Sequence, residues 1–200
     1  MPKETFYNLH ENKKQTLMAA IKEEFSRVPL FEASIANIVK TAGIPRGSFY
    51  QYFEDKEDAF FFLLKDYVAE QNNQFISILE SHNGDLFNAL VEFYLLIIKK
   101  ECHLNFLRNA FLNMTHKVEN TFSGIFSEQA YSKSFNEMVG MLDRSKLNFT
   151  NHTELFHIMQ IITAVTFRNL IEKFAKNLSD QEAVEIYKVE LNILKKGLAP

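Results

Sequence analysis

No proline interrupts the chain between Arg46 and Ala199; the four prolines are Pro2, Pro29, Pro45 and Pro200. Proline breaks a helix interior because it lacks a backbone donor and clashes with the preceding turn, so this long stretch is open to helix throughout. An all-β chain of 200 residues would also need more turn residues than six glycines and four prolines provide. The expectation is an all-α protein. With 46% apolar residues, twenty Phe and no Trp, it can bury a sizeable aromatic core as one compact chain of one or two small domains.

Local punctuation is densest from Ser34 to Lys56. Ser34 stands where it would cap a helix whose apolar positions Ile35, Ile38, Val39 and Ala42 follow helical spacing. Gly43 stops that helix, because glycine takes the left-handed conformation cheaply. Pro45 falls where the next helix begins, its missing N–H no loss there. In that second helix Phe49 and Phe53 lie four apart and should point inward. Arg46 and Tyr50, Gly47 and Gln51, and Ser48 and Tyr52 pair by the same spacing on the remaining surface. Gly47 costs roughly 1 kcal/mol against Ala in a helix interior, and a close backbone approach to DNA would account for it. Upstream, Leu17, Ala20, Ile21 and Phe25 form one stripe of a first helix. Together these make a three-helix module ending in a helix-turn-helix.

The string Ala-Gly-Ile-Pro-Arg-Gly-Ser-Phe-Tyr-Gln-Tyr-Phe followed by Asp-Lys-Glu resembles the signature of the TetR (tetracycline-repressor-like) transcriptional regulators, and the matching stretch runs from about Thr16 to Lys65. Pro29 departs from the family's usual Gly in the turn after helix one, and Asn37 from a common acidic residue in helix two. Both alter the turn or cap and not the reading surface. The resemblance implies DNA contact by Ser34, Arg46, Gly47, Ser48, Tyr50, Gln51, Tyr52 and Lys56. Tyr50, Gln51 and Gly47 would face the major groove, with Ser34, Tyr52 and Lys56 on phosphates. It also implies a second domain that binds a small molecule and dimerises, giving a division into residues 1–54 and 55–200.

Charge agrees in sign. Up to Tyr52 there are seven basic and five acidic residues, a balance of +2; the remainder carries −5 of the net −3. The asymmetry favours nucleic-acid contact at the N-terminal end only. A single cysteine, Cys102, precludes an intrachain disulfide framework and fits a reducing cytoplasm. No apolar run reaches ~18 residues and the N-terminus is polar, so neither a membrane span nor a signal peptide is expected.

Beyond the module the patterning predicts six helices, for about nine in all. Asp55 caps a long one ending near Asn83-Gly84; others cover about 85–101, 104–115, 120–142 and 152–176. Ser179 and Glu182 form a capping box for the last. The last two carry Leu155, Phe156, Met159, Ile162, Phe167, Leu170 and Ile171, then Val184, Tyr187, Leu191 and Leu194. That is more apolar surface than one domain needs, which points to a homodimer.

Other signals read more blandly. Glu154-Leu-Phe-His157 has the spacing of a di-iron bundle ligand pair, but no second Glu-x-x-His occurs, so a structural pair is favoured. Asn105, Asn109 and Asn113 read as a solvated stripe, with the alternative that one lines a pocket. Arg168 either snorkels from a dimer seam or anchors an acidic ligand, the first favoured. No phosphate loop, HExxH or nucleophile elbow appears, so no enzyme activity, metal or cofactor is expected. The sequence therefore predicts a ligand-responsive repressor that binds a palindromic operator as a homodimer. Its effector would be small and mostly apolar, with Phe75, Phe93, Phe111 and Arg168 as candidate contacts. The alternative is a similar DNA binder governed by a protein partner, or by no ligand at all.

Overall fold

The computed structural model describes residues 1–99, 101–113, 115–123 and 133–198. Among them, every regular element is helical and there is no strand. The helices are α1 (Glu4–Tyr7), α2 (Glu11–Arg27), α3 (Ile35–Ala42), α4 (Arg46–Tyr52), α5 (Lys56–Ser81), α6 (Leu86–Lys99), α7 (Glu101–Leu112), α8 (His116–Ser123), α9 (Lys133–Met141), α10 (His152–Lys176) and α11 (Asp180–Leu198).

Two differences raise the count above nine. A short helix, α1, precedes the three-helix module. The stretch expected as one helix over 120–142 holds the end of α8 and all of α9, and its middle lies outside the described residues. Thr115 explains where α8 begins: its Oγ1 accepts from Val118 N at 3.3 Å, the capping bond that opens a helix. The expected caps elsewhere are in place. Asp58 N donates to Asp55 Oδ1 at 2.7 Å at the head of α5. Glu182 N donates to Ser179 Oγ (3.2 Å) while Ser179 N donates to Glu182 Oε2 (2.9 Å), a reciprocal capping box.

The chain packs as two compact units. The first comprises Met1–Tyr67 with Cys102–Thr121; the second comprises Val68–Glu101 with the chain from Phe122 onward. α5 contributes its first half to one and its second half to the other. In the first unit, Phe60 lies between Phe25 (ring centroids 5.1 Å) and Phe106 (5.6 Å), so α7 seals the module's core. Asn109 of α7 donates through Nδ2 to Phe25 O (3.0 Å) and Ser26 O (3.1 Å), answering carbonyls that the end of α2 leaves open. The expectation of a solvated asparagine stripe is therefore wrong at Asn109. Neither carbonyl is within reach of sequence reasoning, because the two segments lie more than eighty residues apart.

In the second unit α11 packs along α6 and α10. Leu155, Met159, Ile162, Leu170, Val184, Tyr187 and Leu191 are buried there within the one chain. This corrects the reading of those residues as surplus surface. The apolar side chains that remain exposed are Ile161, Ile186, Val189 and Ile193. α10 is apolar on more than one side, so periodicity alone cannot separate its inner face from its outer one.

Candidate nucleic-acid interface

The reading unit is built outward from a single carboxylate. Glu24 belongs to the buried face of α2, alongside Leu17, Ala20, Ile21 and Phe25. It accepts from Ser34 N (2.7 Å), from Asn37 Nδ2 (3.2 Å), and from Arg27 through both Nη2 (2.8 Å) and Nε (3.0 Å). Burial alone would raise its pKa, yet the bonds from Arg27, Ser34 and Asn37 outweigh that and hold the carboxyl below its ordinary value. Glu24 thus pins the start of α3 from α2, through the Ser34 N–H and the Asn37 side chain, without taking the first-turn amides that a cap would answer. Ser34 occupies the N-cap with extended dihedrals, but its hydroxyl makes no capping bond. Asn37 has its reason in the same contact.

Gly43 closes α3 at φ +65°, ψ 31°, with Ile44 N returning to Val39 O at 3.0 Å. Pro45 is the N-cap of α4 and accepts from Ser48 N at 2.9 Å. Phe49 and Phe53 are fully buried, so the opposite face of α4 is fixed outward. On it Arg46, Gly47, Tyr50 and Gln51 are exposed, while Ser48 and Tyr52 are half-buried. Arg46 Nη2 lies 3.4 Å from the Tyr50 hydroxyl one turn on. A Cβ built at Gly47 would meet nothing within 4 Å.

The far end of α4 is held by residues that sequence reasoning missed. A helix leaves its last carbonyls without intrahelical donors. Here Lys3 Nζ donates to Tyr50 O (2.8 Å), Thr5 Oγ1 donates to Gln51 O, and Lys3 N donates to Tyr52 O (2.8 Å). Phe6 anchors this segment, fully buried with ring centroids 5.1 Å from both Phe53 and Phe62. The available signal was slight: a lone Phe in a polar stretch too short to show a period.

Lys56 sits in the first turn of α5, where a cation opposes the helix dipole. Its Nζ donates to Phe31 O (2.8 Å) and Ala33 O (3.0 Å), which ties the loop before α3 to α5. An ammonium has three donors, so this bracing still leaves one.

The effector candidates fall in different places. Phe75 and Phe93 meet in the second unit, buried, with ring centroids 5.2 Å apart. Phe111 is buried in the first unit. Arg168 is largely exposed and pairs at 2.9 Å with both Glu172 and Glu190. Glu154 accepts from Thr150 N (2.6 Å), and His157 Nδ1 faces Gln160 at 3.1 Å, so each serves local structure. Among the described residues no helix is long and apolar enough to cross a membrane.

A short helix seated on two phenylalanines, entered through a glycine turn and turning Arg, Gly, Tyr and Gln outward defines a DNA-binding protein of the helix-turn-helix class. Residues 17–61 match the family model of bacterial regulatory proteins, tetR family, and residues 85–198 match that of the tetracyclin repressor-like C-terminal domain. The chain belongs to the TetR family of transcriptional regulators and is a transcription factor, not an enzyme. It is 26% identical over 205 residues to the HTH-type transcriptional regulator YvdT of Bacillus subtilis, across 99% of this chain and 98% of that one. Over 68 residues, 34% of each chain, it is 28% identical to the HTH-type transcriptional repressor NemR of Escherichia coli. The structure of reduced NemR aligns with a TM-score of 0.63 at 15% identity, covering 91% of this chain and 96% of that one. A TetR family regulator from Chloroflexus aurantiacus aligns at 0.52 and 22% identity, covering 100% and 99%. At such identities the structural likeness is one of fold.

Proposed function

We propose that the protein is a cytoplasmic repressor that binds a palindromic operator as a homodimer and is released by a small molecule. Residues 1–54 form the reading head, and 55–200 the part that dimerises and takes the effector. Gly47, Tyr50 and Gln51 enter the major groove; Arg46 and Ser48 border it; Ser34, Tyr52 and the third donor of Lys56 take phosphates.

Gly47 is the observation that carries the reading head. It weakens a seven-residue helix and a Cβ there would touch nothing, so the fold gives no reason for glycine. A duplex pressed against that face does. Gly47→Ala separates the two accounts. Thermal stability should rise by about 0.5–1 kcal/mol while operator affinity in a gel-shift titration falls. Unchanged affinity would remove Gly47 from the interface. Tyr50→Ala should cost about 1–3 kcal/mol of operator binding and relax base preference, and Lys56→Ala should lower the salt slope by about one.

The homodimer is supported by the exposed stripe Ile186, Val189 and Ile193 on α11, with Ile161 on α10. Pairing α10 and α11 with their copies about a two-fold covers it. Two heads on one face of a duplex stand about 34–36 Å apart. Sedimentation of the wild type and of Val189→Glu tests the seam: a monomeric wild type rejects it. Effector coupling of about 1–3 kcal/mol would weaken operator binding 5- to 150-fold, and operator would weaken effector binding by the same factor. α5, shared by both packing units, is the element through which the two states would differ.

A further inference from the structure

The second unit satisfies most of its buried polar groups. Asp85 accepts from Lys146 Nζ at 3.0 Å and from Asn88. Lys173 Nζ donates to Asp180 (2.6 Å) and Leu178 O (3.1 Å). Thr163 and Thr166 donate to carbonyls one turn back, and Asn169 donates to Glu190 at 2.6 Å. Among the described residues, three neutral side chains are exceptions. Gln71 is 1% exposed, yet neither its Nε2 nor its Oε1 has a partner. The hydroxyl of the fully buried Tyr94 has none, nor does Gln74 Oε1, although Gln74 Nε2 donates to Glu70.

These orphans flank one contact. Gln71 and Gln74 lie on the turn of α5 that leads into Phe75. The Phe75 ring meets Phe93, and Tyr94 is the next residue of α6. Tyr94 stacks on Tyr187 at 4.3 Å; the Tyr187 hydroxyl is bonded to Thr166 at 2.8 Å, whereas that of Tyr94 is bonded to nothing. Native proteins rarely leave a buried donor or acceptor unanswered, so each such group calls for an explanation.

We propose that the Gln71 amide and the Tyr94 hydroxyl are the polar half of the effector site, and that the effector is an uncharged molecule joining a hydrogen-bonding group to an apolar or aromatic body. This rests on the effector-responsive reading above. A primary amide offers both donor and acceptor, and a phenol adds a second pair. Three described cations of this unit are already engaged, since Lys173 and Lys146 hold Asp180 and Asp85 and Arg168 holds Glu172 and Glu190. Burial, with the charges of Asp180 and Glu190, pushes the Tyr94 phenol well above its ordinary pKa, so it stays a neutral donor in a negative field.

The test compares wild type, Gln71→Leu and Tyr94→Phe in thermal melts with millimolar 4-hydroxybenzamide, benzoate or benzylamine. Without probe, each variant should melt about 2–4 °C higher than wild type, because an unanswered buried group has gone. The neutral probe should raise the wild-type melting temperature by about 3–5 °C, the charged probes should not, and both variants should lose the shift. Variants that melt lower, a charged probe that binds as well, a neutral probe undiminished in the variants, or no shift from any probe would each overturn the site. Operator binding, measured in parallel, isolates the underlying reading. A neutral probe that binds through Gln71 and Tyr94 yet leaves operator affinity unchanged keeps the site and removes its effector role.

Discussion

Glu24 and Gln71 are both polar side chains taken out of water, one in each packing unit, and they meet opposite fates. Glu24 collects four donors, two from Arg27 of its own helix and two from the start of α3; Gln71 collects none. The same contrast runs wider. Among the described residues, every buried side-chain atom left without a partner belongs to the second unit. A reading head has to present one surface in one pose, and full satisfaction fixes a pose. If the second unit takes the proposed effector, it gains from keeping some bonds unmade until that guest arrives. The two described glycines with positive φ differ too. Gly43 turns in open space, while a Cβ on Gly84 would stand 2.0 Å from Met141 O and 2.6 Å from Asp143 N. The second unit leaves a few described side-chain groups unanswered but is tight at this corner.

Gly84→Ala should have the largest effect. Backbone cannot yield as a side-chain tip can, so the contact with Met141–Asp143 must open, at a cost upwards of about 4 kcal/mol. Denaturant titration measures it, and a cost below that of Gly43→Ala would break the comparison. Phe6→Ala should cost about 3 kcal/mol, the low end for a buried Phe because α1 can detach. Hydrogen exchange should then quicken around α4 and not in α10, and operator affinity should fall. Retained affinity would show that the clasp on α4 is dispensable.

Glu24→Gln should cost about 1–2 kcal/mol, since the amide oxygen still answers one donor but loses the charge facing Arg27. The same residue gives a pH test. Its folded pKa lies below the ordinary 4.5, so its contribution is complete above that value and is lost as pH falls through the folded value. The wild type should therefore lose stability below about pH 4.5 more steeply than Glu24→Gln. Parallel curves would mean that the carboxylate does not anchor the head. Gly43→Ala should be mildest, at about 1 kcal/mol, the strain of a left-handed alanine with no clash.

Much of this was legible in the sequence because it is local. The Gly43–Pro45 punctuation, the inward Phe49 and Phe53, the Asp55 cap and the Ser179–Glu182 box each depend on residues within a few positions of one another. What escaped depends on distance. Lys3, Thr5 and Phe6 matter only because α4 ends beside them. Asn109 looks solvated until α2 ends against it. Ser34 reads as a side-chain cap, yet it is held instead by Glu24 through its own N–H, and Glu24 could have been flagged, since it shares the spacing of Leu17, Ala20, Ile21 and Phe25. Along α10 and α11, the pattern showed how much of the surface is apolar but not which side faces inward. The orphaned atoms of Gln71 and Tyr94 have no sequence signal, because an absent partner leaves no trace in residue spacing.

The clasp on α4 also bears on how such a protein changes over generations. Its bonds end on the carbonyls of Tyr50, Gln51 and Tyr52, and every residue type has a carbonyl. With Phe49 and Phe53 seating the other face, exchanging the outward side chains at 46, 47, 50 and 51 removes none of these supports. On the proposed reading, sequence preference can drift from lineage to lineage while the helix keeps its seat, so the head works as a socket into which new lettering can be set.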